Sequence, residues 1–291
     1  MHTRPAVMPG TARERAGYQT ARDRSRMIGW AILLATLSCS PVAGPAGQGS
    51  ANVGSATDAW LVEDFSSYDT IEDFLETEKN GRYRTTGVHS ERMSLDPDNA
   101  FATNRHSLRY DFPDQTPDPN RCSGYTISRE FHFPTRQREI WVEAWVKFSG
   151  NFYTAAPEEW DCQGGSGMKL LFGLVDPEGG AGRFQIKTGI FDKQWTSSGP
   201  HSKAHKVLTE SPPYWDGQWH QIRTHWRAGS DGAIQVWLDG IKYQDTDGVD
   251  FGVPDIYGLK LGANRNQGAA EEMSYWWGQI SVWDRKPASW N

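Results

Sequence analysis

Apolar and polar residues alternate along most of the chain after residue 59. The alternation is longest over Glu139–Ser149, in the letters EIWVEAWVKFS, and it returns in Trp219–Arg227 and Ala233–Tyr243. Because successive side chains of a β-strand point to opposite faces of a sheet, a period of two predicts strands. The last two runs flank Gly229–Gly232, and they therefore predict a β-hairpin with a four-residue loop.

Ten segments of this kind predict an all-β fold. They are accompanied by one helical turn, Thr70–Leu75, which is capped by Thr70 and has Asp73 in the capping-box position. Many short strands separated by turn residues, with no internal repeat, favour a two-sheet antiparallel jelly-roll sandwich. The ten predicted strands are Ala59–Phe65, Ser107–Phe112, Gly124–Phe133, Glu139–Ser149, Met168–Val175, Gly182–Phe191, Trp219–Arg227, Ala233–Tyr243, Ile256–Ala263 and Ser274–Asp284.

The predicted hairpin has one aliphatic face and one face that combines aromatic and polar groups. Ile222 and Trp226 fall on the aliphatic side, as does His220, which we interpret as a hydrogen-bonded core histidine. Arg223 and His225 fall on the other side. Sugar C–H faces stack on aromatic rings, and sugar hydroxyls hydrogen-bond to planar polar side chains. The second face therefore predicts a carbohydrate-binding surface.

The last predicted strand, Ser274–Asp284, also alternates. If the period of two is unbroken, Trp276 and Val282 face inward, whereas Tyr275 and Trp277 face outward. This assignment places a tyrosine hydroxyl and an indole on the outer surface of the sandwich.

The N-terminal segment has the composition of a secretory signal. Residues 1–26 are basic, and Met27–Leu37 is an apolar run too short to span a bilayer. Cys39 follows closely, as in a lipoprotein box but without its usual spacing. Two alternatives remain open, a lipid anchor at Cys39 and ordinary cleavage near Ala43 or Ala46.

The predicted domains are a removed segment 1–49, a flexible tether 50–58 and a single jelly-roll domain 59–291. Loss of residues 1–49 leaves 24 Lys or Arg and 34 Asp or Glu, a net charge of −10. That charge argues against nucleic acid as a partner, and no second apolar run reaches membrane length. We expect a monomer that is secreted, periplasmic or on the outer cell surface.

Two cysteines remain after removal of the signal, Cys122 and Cys162. In an oxidising compartment we expect them to form a disulfide, with two free thiols as the alternative.

Four segments, taken in order, carry a family resemblance. They are Glu63–Phe65, VEAWVKFSGNF at 142–152, GGSGMKLLFGL at 164–174 and WHQIRTHWRAGSDGAIQVWLDG at 219–240. Together they resemble the concanavalin A-like lectin/glucanase superfamily, in particular its polysaccharide-lyase-like branch of alginate and glucuronan lyases. The resemblance implies a concanavalin A-like jelly roll that acts on a polysaccharide, and it identifies Lys169 as the match to a lyase-type lysine.

Motifs of other alginate lyases match less well. Their Gln-Ile-His triplet falls on Gln185-Ile186-Lys187, so that lysine replaces histidine. Their Tyr-x-Lys-x-Gly-x-Tyr-x-Gln motif falls within residues 257–266, where Lys260 and Gly262 fit but Asn264 replaces the tyrosine expected as proton donor or base. We predict that Tyr275, on another strand, substitutes for it.

Cleavage of a uronate chain by β-elimination needs a cation or amide for the carboxylate, a base for the α-proton and an acid for the departing oxygen. The sequence offers Arg183, Gln185 and Arg223 for the first role and Tyr275 for the third. The candidate bases are His225, Lys187 and Lys169.

The predicted function is therefore a polysaccharide lyase acting on an acidic chain, with a non-catalytic lectin-like module as the alternative. An envelope interaction protein without a sugar ligand is a third class, in which loops would cover the outward tryptophans. Further residues predicted to line the substrate groove with the catalytic candidates are Trp141, Glu143, Trp145, Gln185, Arg223, Trp237, Asn264 and Trp277.

Glycoside hydrolysis, the rival reaction, needs two carboxylates about 5–10 Å apart. Glu139 and Glu143 share a face of one strand, but four residues place them about 13 Å apart. The Glu-x-Asp-x-x-Glu pattern of related glucanases does not occur in the sequence.

No cofactor or metal is expected. No His/Cys cluster has zinc spacing. The runs Asp96–Asn99 and Asp245–Gly248 offer oxygen ligands for Ca²⁺, although such short runs are more typical of turns.

Overall fold

The structure of the protein, a computed structural model, contains two antiparallel β-sheets. The structure describes residues 58–76, 83–85, 90–112, 125–152, 167–175, 183–189, 195–199, 204–209, 214, 216–265 and 272–290. All of them belong to the unit formed by residues 50–291. The predicted signal segment, Cys39, Cys122 and Cys162 lie outside the described residues.

The described segments comprise fifteen strands, one short helix and one 3₁₀ turn. The strands are β1 (Leu61–Glu63), β2 (Tyr83–Thr85), β3 (Met93–Asp96), β4 (Ser107–Phe112), β5 (Tyr125–Gln137), β6 (Glu139–Phe148), β7 (Gly167–Leu174), β8 (Arg183–Gly189), β9 (Trp195–Ser198), β10 (Lys206–Thr209), β11 (Trp219–Arg227), β12 (Gly232–Leu238), β13 (Ile241–Val249), β14 (Ile256–Arg265) and β15 (Met273–Trp283). The helix is α1 (Ile71–Glu76), and the 3₁₀ turn is Ser90–Arg92.

Sheet A has the strand order β13-β12-β11-β6-β15-β4-β3, and β1 also pairs with β15. Sheet B has the order β10-β9-β8-β7-β14-β5-β2. Neighbouring strands are mostly distant in sequence, as β6 and β15 are, so the chain crosses repeatedly between the layers. The predicted jelly-roll sandwich is confirmed.

The core lies between the two sheets and is closed at one end by α1. Its largest members include Trp226, Trp277, Tyr110 and Phe74, none of which is more than 1% exposed. The helix begins with the predicted capping box, in which Asp73 N donates to Thr70 Oγ1 at 3.1 Å and Thr70 N donates to Asp73 Oδ2 at 3.0 Å.

The second half of the predicted hairpin is two strands instead of one. Ala233–Tyr243 is interrupted at Asp239–Gly240, where φ is +48° and +80°. An Asp-Gly pair with positive φ at both positions makes a tight two-residue hairpin turn. The chain therefore reverses after β12 and adds β13 as the edge of sheet A. The predicted hairpin of β11 and β12 is confirmed. The two strands pair antiparallel, from Arg227 opposite Ala233 to Ile222 opposite Leu238.

The predicted orientation of the last strand is wrong. Tyr275 and Trp277 lie in the core, whereas Trp276 lies on the outer side, where its indole Nε1 donates to Asp96 Oδ2 at 2.7 Å. Pairing of β15 with β6 shifts register between Trp277 and Ile280. This bulge inserts a residue, so Ile280 returns to the core and the period of two is not continuous.

Between β8 and β11 lie two short strands that the alternation did not predict, β9 and β10, which form one edge of sheet B. No helix within the described ranges is long and apolar enough to cross a membrane.

Candidate functional site

The structure divides the residues predicted to line one groove among three places. The outer face of a sheet is here the face turned away from the other sheet. One set lies on the outer face of sheet A, a second set lies in the core, and a third set belongs to strands of sheet B. The prediction of one common groove is therefore wrong. The sheet A set is Trp141, Glu143, Trp145, Arg223, His225 and Trp237; the core set is Tyr275 and Trp277; the sheet B set is Lys169, Arg183, Gln185, Lys187 and Asn264.

On sheet A the predicted stacking platforms are already covered. The ring of Trp141 stacks on His225 at 3.9 Å and meets the edge of Trp290 at 5.4 Å. Phe101 stacks on Trp145 at 4.7 Å. Contacts within the protein therefore cover the Trp141 ring, which is 7% exposed, and one face of the Trp145 ring.

The polar groups of the same face are also paired. Arg223 Nε donates to Glu143 Oε2 at 2.8 Å, and the Arg223 guanidinium lies over the Trp290 ring. Glu143 is 2% exposed. This buried ion pair replaces the predicted role of Arg223 in neutralising a substrate carboxylate.

His225 is enclosed as well. Its Nε2 lies 2.6 Å from Glu139 Oε1 and its Nδ1 lies 3.2 Å from Gln235 Oε1, and 4% of the residue is exposed. Burial lowers the pKa of His225, and the neighbouring Glu139 opposes this shift. With both ring nitrogens engaged, His225 is not placed to act as a base on an external substrate.

Tyr275 is fully buried between the sheets. Its hydroxyl donates to the backbone oxygen of Gly262 in β14 at 2.8 Å, and burial raises its pKa well above the usual range. The residue therefore supports sheet B from inside and cannot protonate a leaving group. Trp277, which packs beside it, is excluded from substrate contact for the same reason.

Strand pairing places the residues of the sheet B set in cross-strand rows. β14 and β5 pair without a shift from Gly258 to Arg265, and Leu259 and Leu261 belong to the core, so Lys260 and Asn264 occupy outer-face positions. One cross-strand row joins Lys187, Lys169, Asn264 and Thr126. A second row joins Gln185, Phe172, Lys260, Glu130 and Arg84, and a third joins Arg183, Leu174, Gly258 and His132.

A charged cluster lies on this outer face at the adjacent strands β14 and β5. Lys260 Nζ is 3.5 Å from Glu130 Oε1, and His132 Nε2 is 3.2 Å from Glu130 Oε2. The side chains of Lys260 and Glu130 are 9% and 8% exposed, whereas His132 is 27% exposed. The ring of Tyr257 meets the imidazole edge-on at 5.5 Å.

Sequence reasoning assigned no role to Glu130, His132 or Tyr257. The alternation of Ser128, Glu130 and His132 in the strand predicted over Gly124–Phe133 was the available signal. Because a single strand does not reveal its partners, the contact with Lys260 could not be read from the alternation alone.

Sheet B is strongly cationic. Its strands contain one acid, Glu130, against nine lysines and arginines, whereas the strands of sheet A contain seven acids and five lysines or arginines, and the whole chain carries −6. Arg129 is fully buried against Phe74, but five of the cations fall in the three outer-face rows, with Glu130 as the one acid there, so this face is positive on an acidic protein. The nine cations are Arg84, Arg129, Arg136, Lys169, Arg183, Lys187, Lys206, Lys260 and Arg265.

The two aspartate runs considered for Ca²⁺ bond to the protein itself. Asp96 accepts hydrogen bonds from the backbone of Asp98 and Asn99 and from the indole of Trp276. Asp245 bonds to Lys242 and Gln235, and Asp247 bonds to Arg227. Among the described residues, no group of three His, Cys, Asp or Glu side chains has the geometry of a metal site.

His220 lies at the start of β11 between two carboxylates. Its Nδ1 is 2.8 Å from Asp239 Oδ2 and its Nε2 is 3.0 Å from Asp216 Oδ1. Burial alone would lower its pKa, but the hydrogen bonds to Asp239 and Asp216 outweigh burial and raise the pKa above the ordinary value. His220 thus ties the segment that precedes β11 to the turn between β12 and β13.

This clamp predicts a pH dependence of stability. A histidine with a raised folded-state pKa stabilises the protein fully below its unfolded pKa of about 6.5, and the effect disappears as pH rises through the folded-state pKa. His220→Gln is expected to cost about 1 kcal/mol at pH 5.5 and clearly less at pH 8.5. Urea unfolding of both proteins at the two pH values measures the difference, and a cost that does not change with pH would contradict a charged clamp.

Similarity to known proteins is found at the level of structure. No protein-family model matches the sequence, and no curated protein matches it. The alginate lyase Aly36B superposes with a TM-score of 0.56 at 12% identity, over 77% of this chain and 96% of that chain. A doubly substituted variant of that enzyme in complex with an alginate tetrasaccharide gives 0.53 at 12% identity, over 78% and 97%.

A structure from work on endo-acting O-glycanases of human gut microbiota gives a TM-score of 0.50 at 8% identity, over 79% of this chain and all of that chain. At these identities the similarity concerns the fold. The chain has the concanavalin A-like jelly-roll fold, as the sequence resemblance predicted.

Proposed function

We propose that the protein binds an acidic, uronate-containing polysaccharide across the outer face of sheet B and cleaves it by β-elimination. The observation that carries this proposal is the excess of cations in the three cross-strand rows of that face, which hold Arg84, Lys169, Arg183, Lys187 and Lys260 against one acid, Glu130. A polymer with a carboxylate on each uronate is attracted to such a surface and repelled by an acidic one.

The register supports an extended binding surface. Lys169 shares a row with Asn264, and Arg183 shares a row with Gly258. Asn264 and Gly258 are six residues apart on β14, so the two rows are about 20 Å apart along that strand. A linear polymer laid along this face would meet cations in successive rows. Arg183 and Gln185 are proposed to hold uronate carboxylates, with Lys169 and Lys187 further along the chain.

Lys169 and Lys187 are directly opposite each other across β7 and β8. This row therefore holds both lysines that the sequence predicted as proton acceptors, together with Asn264.

The charge distribution favours elimination over hydrolysis. Hydrolysis needs two carboxylates at the scissile bond, and Glu130 is the one acid in the described strands of sheet B. The fold is shared by an alginate lyase and by a structure from work on O-glycanases, so the charge distribution carries the choice of reaction. A lectin-like module without catalysis is the second candidate, favoured by the burial of Tyr275.

Absorbance near 235 nm during incubation with alginate, glucuronan and pectate tests the reaction, because elimination creates an unsaturated uronate and binding does not. At least one substrate is expected to give a rising signal. Arg183→Ala is expected to lower kcat/KM by about 10²-fold or more, as loss of a charge-stabilising group does. Lys242→Ala, which removes an exposed cation from sheet A, is the matched control and should leave kcat/KM unchanged.

Absence of any signal together with retardation of the protein in a polysaccharide gel would establish the lectin-like alternative. A signal that is insensitive to Arg183→Ala, Lys169→Ala and Lys187→Ala would place the reaction elsewhere than on this face.

A further inference from the structure

Glu130 fixes the orientation of a half-buried histidine. One carboxylate oxygen lies 3.5 Å from Lys260 Nζ and the other lies 3.2 Å from His132 Nε2. A carboxylate can only accept, so Nε2 carries the proton in this contact. A neutral imidazole that donates from Nε2 has its lone pair on Nδ1.

Nδ1 of His132 is the atom left available for chemistry. Within the described part of the chain no group hydrogen-bonds to it, and 27% of the side chain is exposed. The Tyr257 ring, half-buried, lies against the imidazole edge. In many enzymes the general base that takes a proton from the substrate is a histidine whose tautomer is fixed by a hydrogen bond to a second group.

We infer that His132, positioned by Glu130, is the catalytic base of the elimination and that Tyr257 is its acid. The inference rests on the function proposed above. Nδ1 takes the α-proton of the uronate at C5, the electron pair of that bond forms the C4=C5 double bond, and the C4–O bond breaks. The departing oxygen takes the hydroxyl proton of Tyr257, and the imidazolium returns its proton to the tyrosinate through water.

The position of His132 agrees with this role. It shares a row with Arg183, three strand spacings or about 14 Å away across the sheet, and lies next to the row of Gln185, so that a sugar unit between them could place its carboxylate toward β8 and its α-proton toward His132. Neutralising that carboxylate is what makes the neighbouring α-proton removable. Lys169 and Lys187, which share a row six residues along β14 from the row of His132, would then bind carboxylates of other sugar units instead of accepting the proton.

A purely structural role accounts less well for the cluster. Replacing a buried ion pair by apolar residues is often neutral or stabilising, so burial of Lys260 and Glu130 does not by itself explain their presence. Glu130 is also the one acid in strands that otherwise carry cations, and its second oxygen contacts the exposed histidine.

Chemical rescue tests the base directly. His132→Ala is expected to lower kcat on the preferred substrate by about 10²–10⁴-fold, and added imidazole is expected to restore part of the rate in proportion to its concentration. Tyr257→Phe is expected to lower kcat without rescue. The matched control is His205→Ala, since His205 is an exposed histidine beside β10, at the far edge of sheet B from β5.

The role of Glu130 has its own readout. Glu130→Gln is expected to lower kcat while KM stays within twofold, because the carboxylate positions the base and does not touch the substrate. Circular dichroism confirms that each variant is folded.

Three results would overturn the inference. If the wild-type protein produces no unsaturated product, the proposed function and the base fail together. If the wild-type protein is active and His132→Ala keeps its kcat within twofold, the base is wrong although the function stands. An activity lost in His132→Ala that imidazole does not restore, together with a loss in Lys169→Ala, would assign the proton transfer to the lysine.

Discussion

Lys260→Met is expected to lower the free energy of unfolding by about 3–5 kcal/mol. Lys260 Nζ lies 3.5 Å from Glu130 Oε1, and both side chains are less than one tenth exposed. Removal of the ammonium breaks a buried charge pair, which is among the more costly changes in a protein interior, although the Glu130 carboxylate keeps its contact with His132. Urea unfolding followed by tryptophan fluorescence measures the change.

The double variant Lys260→Met/Glu130→Leu is the matched control. It removes both charges and keeps the side-chain volume, so most of the lost stability is expected to return. The same double variant should have no lyase activity, because His132 loses the carboxylate that orients it. A double variant that is stable but inactive would separate the catalytic role of the cluster from any structural one. A cost below about 1 kcal/mol for Lys260→Met would instead show that solvent screens the ion pair.

The second large effect is expected in the core at β15. Trp277 is fully buried, and Trp277→Ala is expected to cost about 3–5 kcal/mol through lost apolar burial and the remaining cavity. Gln279, two residues further, is partly buried and makes one side-chain hydrogen bond, to Ser281. Gln279→Ala is the control and is expected to cost about 1 kcal/mol or less.

Comparison of Trp276→Ala with Trp277→Ala tests the bulge between Trp277 and Ile280. If β15 alternated without interruption, Trp276 would occupy the core and its replacement would be the more damaging one. A larger loss in Trp276→Ala than in Trp277→Ala would contradict the observed register.

The general fold could be predicted because alternation is a local property. Residues 139–149 showed the period of two, and the structure has β6 over Glu139–Phe148. The hairpin of β11 and β12 was predicted for the same reason. The Asp239–Gly240 turn was missed although an Asp-Gly pair is a strong hairpin signal, because the alternation on either side of the pair was treated as continuous.

The site could be predicted only in part because it depends on which strands become neighbours. Alternation predicted outward positions for Arg183 and Arg223 alike, but β8 joins sheet B and β11 joins sheet A. The two arginines therefore belong to opposite sides of the sandwich. Nothing in either strand alone distinguishes the two sheets.

Loop coverage and bulges account for the other errors. Trp141 and His225 were expected to face a sugar, and instead they stack on each other beneath Trp290, which follows the last strand. Tyr275 was expected outside and lies inside because of the bulge that follows it in β15. Both effects depend on contacts distant in sequence.

The most direct test of the cationic face is mobility in a native gel that contains alginate, compared with a gel that contains a neutral glucan. Arg183→Glu/Lys187→Glu reverses two charges on sheet B, and Arg138→Glu/Lys242→Glu reverses two exposed charges outside it. The wild-type protein and the second variant are expected to be retarded by alginate alone, and the first variant is expected to migrate freely. Equal loss of retardation in both variants, or no retardation of the wild-type protein by any acidic polysaccharide, would contradict the assignment of sheet B as the binding surface.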